Sequence, residues 1–199
     1  MSYLDEYVSA VRFGNKLRNE KVPKEAYTDL LQYYREISEN PELDEFTDQI
    51  LPALAEQFIK KSPFGLAGLC HSVSQQFFDE WMQSELSQAS GLAITVGSVE
   101  FKGKPLYPVS KSSLRRTLAE GFNPDRELDL HVWLTFPNMR VLDLTIVPTL
   151  LEKGWINAGY FGELQHVIWK ESENSELHYR PMLQDDQFLF KVDQIAGYA

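Results

Sequence analysis

The stretch that decides the fold is LDLHVWLTFPNMRVLDLT, residues 128 to 145. Apolar and polar residues alternate on both sides of the turn sequence FPNMR, which predicts a β-hairpin. The first arm places His131 and Trp133 on the face opposite its leucines, and the second arm separates its leucines from Asp143. A register that keeps the leucines together brings His131 opposite or diagonal to Asp143, within hydrogen-bonding reach. The alternative is that the two polar residues are separately solvated on an edge hairpin.

Composition limits the classes of protein to which this chain can belong. With 199 residues, 43% of them hydrophobic, we expect one domain with a sizeable core. A net charge of −10 argues against nucleic-acid and anionic-membrane partners. The charged first twenty residues and the lack of a long apolar run favour a cytoplasmic protein. The single cysteine excludes an internal disulfide and a zinc site built on several thiolates.

The pattern of apolar residues changes from helical to strand-like along the chain. Apolar spacing predicts helices over residues 3 to 18 and 24 to 38, and a third helix that begins at Pro41. We therefore predict one domain in which residues 1–61 form a helical N-terminal layer and residues 62–147 form the core. Residues 148–199 are predicted to form C-terminal strands and loops, and QFLFKV at residues 187 to 192 is interpreted as a strand.

The only cysteine lies at a predicted helix start. Pro63, Gly65 and Gly68 punctuate a loop, and a helical pattern that runs to about Ser90 begins at Cys70. The spacing puts Cys70 at the head of the buried stripe and turns the next residue, His71, to the other side. Free N–H groups at a helix start stabilise a thiolate, although a lone cysteine in such a stripe is also an ordinary small apolar residue.

Cys70, His131 and Asp143 together are the three groups that nucleophilic catalysis by a thiol requires. A thiolate attacks, an imidazole exchanges protons, and a carboxylate orients the imidazole. The combination works only if the helix packs its Cys70 end against the face that carries His131. All three side chains are also competent metal ligands, so a metal site is an alternative.

These residues resemble the transglutaminase-like branch of the papain-like cysteine protease fold. The resemblance covers residues 62–147 and lies in the order and 12-residue His-to-Asp spacing of three short motifs: Gly68-x-Cys70 before a helix, His131-x-Trp133 on a strand, and Asp143-x-Thr145 on the next strand. It implies an α+β fold in which a helix carrying the cysteine packs on an antiparallel sheet carrying the histidine and the aspartate. It also implies that Cys70 is the nucleophile, His131 the general base and acid, and Asp143 the orienting carboxylate, with Trp133 beside the site as a substrate-binding residue. No cofactor or metal is implied.

The sequence departs from the papain pattern at the oxyanion site. Papain-type enzymes place a glutamine a few residues before the cysteine, whereas residues 61 to 69 contain none and Gln57 lies too far upstream. The expected donors are the backbone N–H of Cys70 and one unidentified group.

The predicted function is cysteine-dependent acyl transfer on an amide or peptide bond. Resolution of the thioester by water gives a protease, amidase or deamidase, and resolution by an amine gives a transglutaminase. The partner is then a peptide, a protein or a small amide, with no nucleic acid and no membrane. The alternative is a noncatalytic fold that serves as a protein-binding or scaffold module.

Two features after residue 148 have no assigned part in this chemistry. His166 and His178 flank a charged loop and are interpreted as surface residues without chemistry. The aromatic, glycine-rich stretch GWINAGYFGE, residues 154 to 163, either borders a substrate cleft or is an irregular connector with buried aromatic side chains.

Overall fold

The structure, a computed structural model, describes residues 1–62, 65–121, 129–173 and 176–196. Pro63 and the first hairpin residue, Leu128, lie outside these ranges. Within them the chain forms helices α1 (Tyr3–Leu17), α2 (Lys24–Ser38), α3 (Pro41–Lys61), α4 (Cys70–Gln83), α5 (Leu86–Ala89), α6 (Lys111–Glu120), α7 (Ile146–Glu152) and α8 (Phe188–Ala196). The strands are β1 (Ala93–Phe101), β2 (Lys104–Pro105), β3 (His131–Thr135), β4 (Val141–Asp143), β5 (Val167–Trp169) and β6 (Leu177–Gln184). The α+β class is confirmed.

The three predicted N-terminal helices are confirmed, and local capping explains where they begin. Ser2 and Asp5 form a reciprocal capping box at the start of α1. The Asn40 side chain accepts the backbone N–H of Glu42 at the start of α3, where Pro41 occupies the first turn. No helix in the described ranges has the length and apolarity that crossing a membrane requires.

The strands form one antiparallel sheet around β1. Strand β1 pairs with β2, β3 and β6. Beyond β3 the sheet continues through β4 to β5, which gives the strand order β2-β1-β3-β4-β5. The predicted β3–β4 hairpin is confirmed, with Leu134 opposite Leu142. Extending this register by one residue sets Asp143 opposite Trp133 and diagonal to His131.

Each face of the sheet is covered by its own core. The leucine face packs against α3, α4 and α8, and its sheet residues include Ile94, Val96, Val132, Leu134 and Leu142. The other face is aromatic and packs against α1, with Tyr3, Tyr7, Trp133, Trp169 and Tyr179 in one cluster. The alternation read from the hairpin therefore separates two cores, rather than a core from solvent.

One predicted helix is too long, and two segments predicted to hold strands or loops contain helices. The helix that begins at Cys70 ends at Gln83, because the Ser84 backbone is extended and its hydroxyl donates to the Trp81 carbonyl at 2.7 Å. All of the stretch QFLFKV except Gln187 lies in helix α8, since Phe188 and Val192 are one helical turn apart and both buried. Helix α7 likewise occupies part of the region predicted to hold strands and loops.

Candidate active site

Cys70 reaches His131 around the end of a strand. The Ser74 hydroxyl, one turn after Cys70, donates to the Val132 carbonyl at 3.2 Å and fixes the start of α4 against β3. The helix packs on the leucine face of the sheet, whereas our prediction required the face that carries His131. The two side chains still meet because Cys70 is the first residue of α4 and His131 is the first residue of β3.

The Asp143 carboxylate is buried and fully hydrogen-bonded. Its Oδ2 lies 2.6 Å from Nε2 of His131 and accepts the Tyr179 hydroxyl at 3.0 Å. Its Oδ1 accepts the backbone N–H groups of Thr145 and Ile146, both at 3.0 Å, and the Thr145 hydroxyl at 3.2 Å. Burial opposes ionisation, but the attraction of His131 and these donors outweigh it and lower the pKa of Asp143. The carboxylate is therefore ionised and fixes the imidazole with Nε2–H toward it.

Cys70 and His131 each shift the pKa of the other toward its charged form. Burial raises the pKa of the Cys70 thiol, but the charges and polar contacts of His131 and His71 together outweigh burial and bring that pKa down from 9.0 to about 6. Burial lowers the pKa of His131, and the charges of Asp143 and Cys70 raise it to about 10. Among the described residues, Nδ1 of His131 has no hydrogen-bond partner of ordinary geometry, so its contact with the sulfur is chiefly electrostatic. Each group therefore favours the charged form of the other, a thiolate beside an imidazolium.

His71 also acts on the thiol, contrary to the prediction that the helix turns it away. Its side chain hydrogen-bonds to Cys70, and this bond and its charge both contribute to lowering the pKa of the thiol. Successive residues of a helix are about 100° apart around its axis, so the residue after Cys70 is next to the buried stripe and not opposite it. His71 is the residue of this site that the spacing argument missed.

Two aromatic rings stack with the imidazole. The ring centroids of Tyr107 and His131 are 5.0 Å apart, and those of Trp133 and His131 are 6.1 Å apart. The Trp133 indole donates to the Tyr3 hydroxyl at 2.9 Å, and its side chain has no exposed surface. Trp133 thus supports the ring from within the aromatic core, and its predicted contact with substrate stays a prediction.

The site is closed, and Tyr107 is the half-buried side chain of the ring stack. Cys70 is 6% exposed and His131 is 0% exposed. We predict that Tyr107→Ala speeds alkylation of Cys70 by iodoacetamide several-fold at neutral pH, because it removes the outer ring from the stack. Tyr107→Phe keeps the ring and is expected to label at the wild-type rate. Labelling is measured by intact mass. Equal rates for the wild-type protein and both variants would show that Tyr107 does not control access to Cys70.

The metal alternative finds no support in the arrangement of the three groups. Nε2 of His131 and Oδ2 of Asp143 bind each other, so neither atom is directed at a common ion. Across the described ranges, no cluster of three or more histidine, cysteine, aspartate or glutamate side chains is arranged to hold a metal ion.

Comparisons of the chain with protein-family models, with curated proteins and with solved structures find no match. The resemblance therefore rests on the three sequence motifs. Gln57 lines a groove with Phe58, Phe77 and Trp81, on the body of α4 and away from its first residue.

The structure places His166 in the interior, which corrects its interpretation as a surface residue. Its side chain is 3% exposed, and Nδ1 has no hydrogen-bond partner among the described residues. Burial lowers the pKa of His166, so the ring is neutral at pH 7. By contrast, Trp155 and Tyr160 of the glycine-rich stretch are 38% and 41% exposed, so this connector does not bury all its aromatic side chains.

Proposed function

We propose that this chain is a cysteine-dependent acyl-transfer enzyme that acts on an amide or peptide bond, with a papain-like, transglutaminase-like core. The observation that carries the proposal is the arrangement of His131 between two partners. Its Nε2 is held 2.6 Å from an ionised carboxylate, and its other nitrogen is left to a thiol whose pKa it lowers. A cysteine that serves only as a small apolar residue has no need of a buried imidazolium.

The chemistry follows from these charges. The Cys70 thiolate attacks the carbonyl carbon, and the backbone N–H of Cys70 donates to the developing oxyanion. The His131 imidazolium then gives its proton to the leaving nitrogen, the C–N bond breaks, and an amine leaves with a thioester behind it. Neutral His131 next takes a proton from water or from an amine, which attacks the thioester and restores the thiolate. Asp143 holds the imidazole in place throughout.

The acceptor in the second step decides between hydrolysis and amine transfer. Water gives a protease, amidase or deamidase, and a primary amine gives a transglutaminase. We propose a peptide, protein or small amide as the acyl donor, without a metal or organic cofactor.

A noncatalytic scaffold is the second candidate, and the enclosure of the site favours it. Cys70 and His131 have almost no exposed surface, and a substrate carbonyl must contact both. The two candidates differ in whether the thiol reacts with an added electrophile, since a scaffold needs neither an ion pair nor an opening.

The test is alkylation of Cys70 by iodoacetamide at pH 6, which is simple to read because the chain has one cysteine. The wild-type protein is expected to label about 20-fold faster than His131→Ala, because without the imidazolium the buried thiol returns to a pKa of 9.0 or above. His178→Ala, which changes a histidine of β6, is the matched control and is expected to keep the wild-type rate. Equal slow labelling of all three proteins would favour the scaffold.

A further inference from the structure

Helix α6 carries its charged residues in an unfavourable order. Lys111 is its first residue and Glu120 its last, and its first turn has no acidic residue. The free N–H groups at a helix start carry partial positive charge, which repels a lysine there. Helices α1 and α3 have the favourable order, with acidic residues in the first turn and lysines in the last. The order in α6 therefore costs stability, and such local costs are typical of functional sites.

The cations of α6 lie against helix α1. Nζ of Lys111 is 5.4 Å from the centre of the Phe13 ring, and Cζ of Arg115 is 5.0 Å from the same ring centre. The Lys111 ammonium also donates to the Ser9 hydroxyl at 3.1 Å. Two positive charges are therefore held close together over one ring.

Two cations of α1 complete a basic cluster. Loss of solvent lowers the pKa of Lys111, and repulsion by Lys16, Arg115 and Arg12 lowers it further. Glu6 attracts Lys111, but this attraction is weaker than each of those repulsions. The α1–α6 basic cluster consists of Arg12, Lys16, Lys111 and Arg115, all of them exposed. Among the ion pairs of the described residues, none includes a member of this cluster.

A basic cluster without ion pairs contrasts with the rest of this acidic chain. The chain has 29 aspartates and glutamates against 19 lysines and arginines, and its net charge is −10. Other exposed cations are paired, such as Arg180 with Glu100 and Lys102 with Glu176. The cluster attracts anions, whereas the acidic remainder of the chain repels an extended polyanion. These charges favour a compact anion.

We propose that the α1–α6 basic cluster binds a compact soluble ligand with two or more adjacent phosphate groups, such as a di- or triphosphate. A phosphate monoester carries about −1.5 to −2 charges near neutral pH, so two such groups match four cations. The guanidinium groups of Arg12 and Arg115 can form paired hydrogen bonds to phosphate oxygens, and lysines supply point charges. A carboxylate ligand brings less charge to the same small area. This inference does not rest on the proposed function.

The experiment is calorimetric titration of the whole chain with inorganic tripolyphosphate at neutral pH. The wild-type protein is expected to bind saturably, and more weakly as the ionic strength rises. The double variant Lys111→Gln, Arg115→Gln is expected to bind at least about 10-fold more weakly, because it loses charge-assisted hydrogen bonds. The matched control is Lys60→Gln, Lys61→Gln, which removes the same charge from the end of α3 and is expected to keep the wild-type affinity.

A second double variant separates binding from packing. Lys111 and Arg115 cover the Phe13 ring, so their replacement changes the contact between α6 and α1 as well as the charge. Arg12→Gln, Lys16→Gln leaves that cover in place and is also expected to weaken binding of tripolyphosphate by at least about 10-fold. Wild-type affinity in this variant would overturn a site shared by the two helices.

Two other anions test which ligand the cluster recognises. Hexaglutamate, which carries its charge on carboxylates, is expected to bind at least about 10-fold more weakly than tripolyphosphate. Phosphatidylcholine vesicles that contain phosphatidylinositol bisphosphate are not expected to co-sediment with the chain. Hexaglutamate binding as tight as that of tripolyphosphate would assign the cluster to an acidic peptide, and vesicle binding without tripolyphosphate binding would assign it to a membrane. Either result overturns the proposal, as does equal weakening in the α3 control or the absence of saturable binding.

Discussion

Asp143→Asn is expected to abolish the ion pair while leaving most of the site in shape. Its amide oxygen still accepts the donors from Thr145 and Ile146, but its NH₂ group now points at Nε2 of His131. The imidazole becomes neutral in the other tautomer, with its proton toward Cys70, and no longer stabilises a thiolate. We expect the pKa of Cys70 to return to about 9 and iodoacetamide labelling at pH 6 to fall about 20-fold. Amide turnover is expected to fall by about 10³ to 10⁴.

The matched comparison is Tyr179→Phe. It removes one donor to Oδ2 at 3.0 Å and leaves the carboxylate charged, so labelling is expected to change only a few-fold. If Asp143→Asn labels as fast as the wild-type protein, the carboxylate does not set the charge of His131, and the triad is wrong.

Gly97→Ala is expected to be the most destabilising small substitution in the sheet. Gly97 pairs with His131, and a β-carbon there would lie 2.1 Å from the Arg180 carbonyl oxygen and 2.7 Å from the Trp133 ring. Neither neighbour can yield, because one is backbone of the paired strand β6 and the other is wholly buried. We expect a loss of about 3 kcal/mol or more in the free energy of unfolding, measured by urea denaturation.

Gly91→Ala is the control for this substitution. Its β-carbon would meet only the Pro137 ring at 3.6 Å, an ordinary contact. We expect its free energy of unfolding to change by less than about 1 kcal/mol. Similar values for the two variants would mean that β6 and Trp133 are not held against Gly97 as described.

The hairpin was the most predictable part of the site. Period-two alternation fixes which residues share a face. Pairing of the leucines then leaves only registers in which His131 lies opposite or diagonal to Asp143. His131 and Asp143 could therefore be brought together from the sequence alone. The 2.6 Å contact between them agrees with that argument.

The position of Cys70 was less predictable, because spacing along one helix does not say where the helix starts relative to a strand. Helix α4 packs on the leucine face of the sheet. Its first residue, Cys70, nevertheless lies beside the first residue of β3. His71 and Tyr107 were missed for a related reason. Their contacts with the site depend on the path of a first turn and of a loop, and neither path has a periodic signal.

The burial of His166 and the fold of α8 depended on tertiary context. His166 is one residue before β5, and pairing of that strand with β4 draws it inside. QFLFKV has apolar residues that suit either a strand or a helix, and the surface beneath it decides. Packing of Phe188 and Val192 on the leucine-face core selects the helix.

Whether Cys70 is a thiolate beside an imidazolium is tested most directly by the pH titration of thiolate ultraviolet absorbance. The difference between the wild-type protein and Cys70→Ser reports this one thiol and requires no reagent to enter the closed site. We predict that the thiolate absorbance appears with a midpoint near pH 6 and stays constant at higher pH, although the imidazolium beside it loses its proton near pH 10. A midpoint at pH 9 or above would contradict it, because Cys70 would then be an ordinary buried thiol.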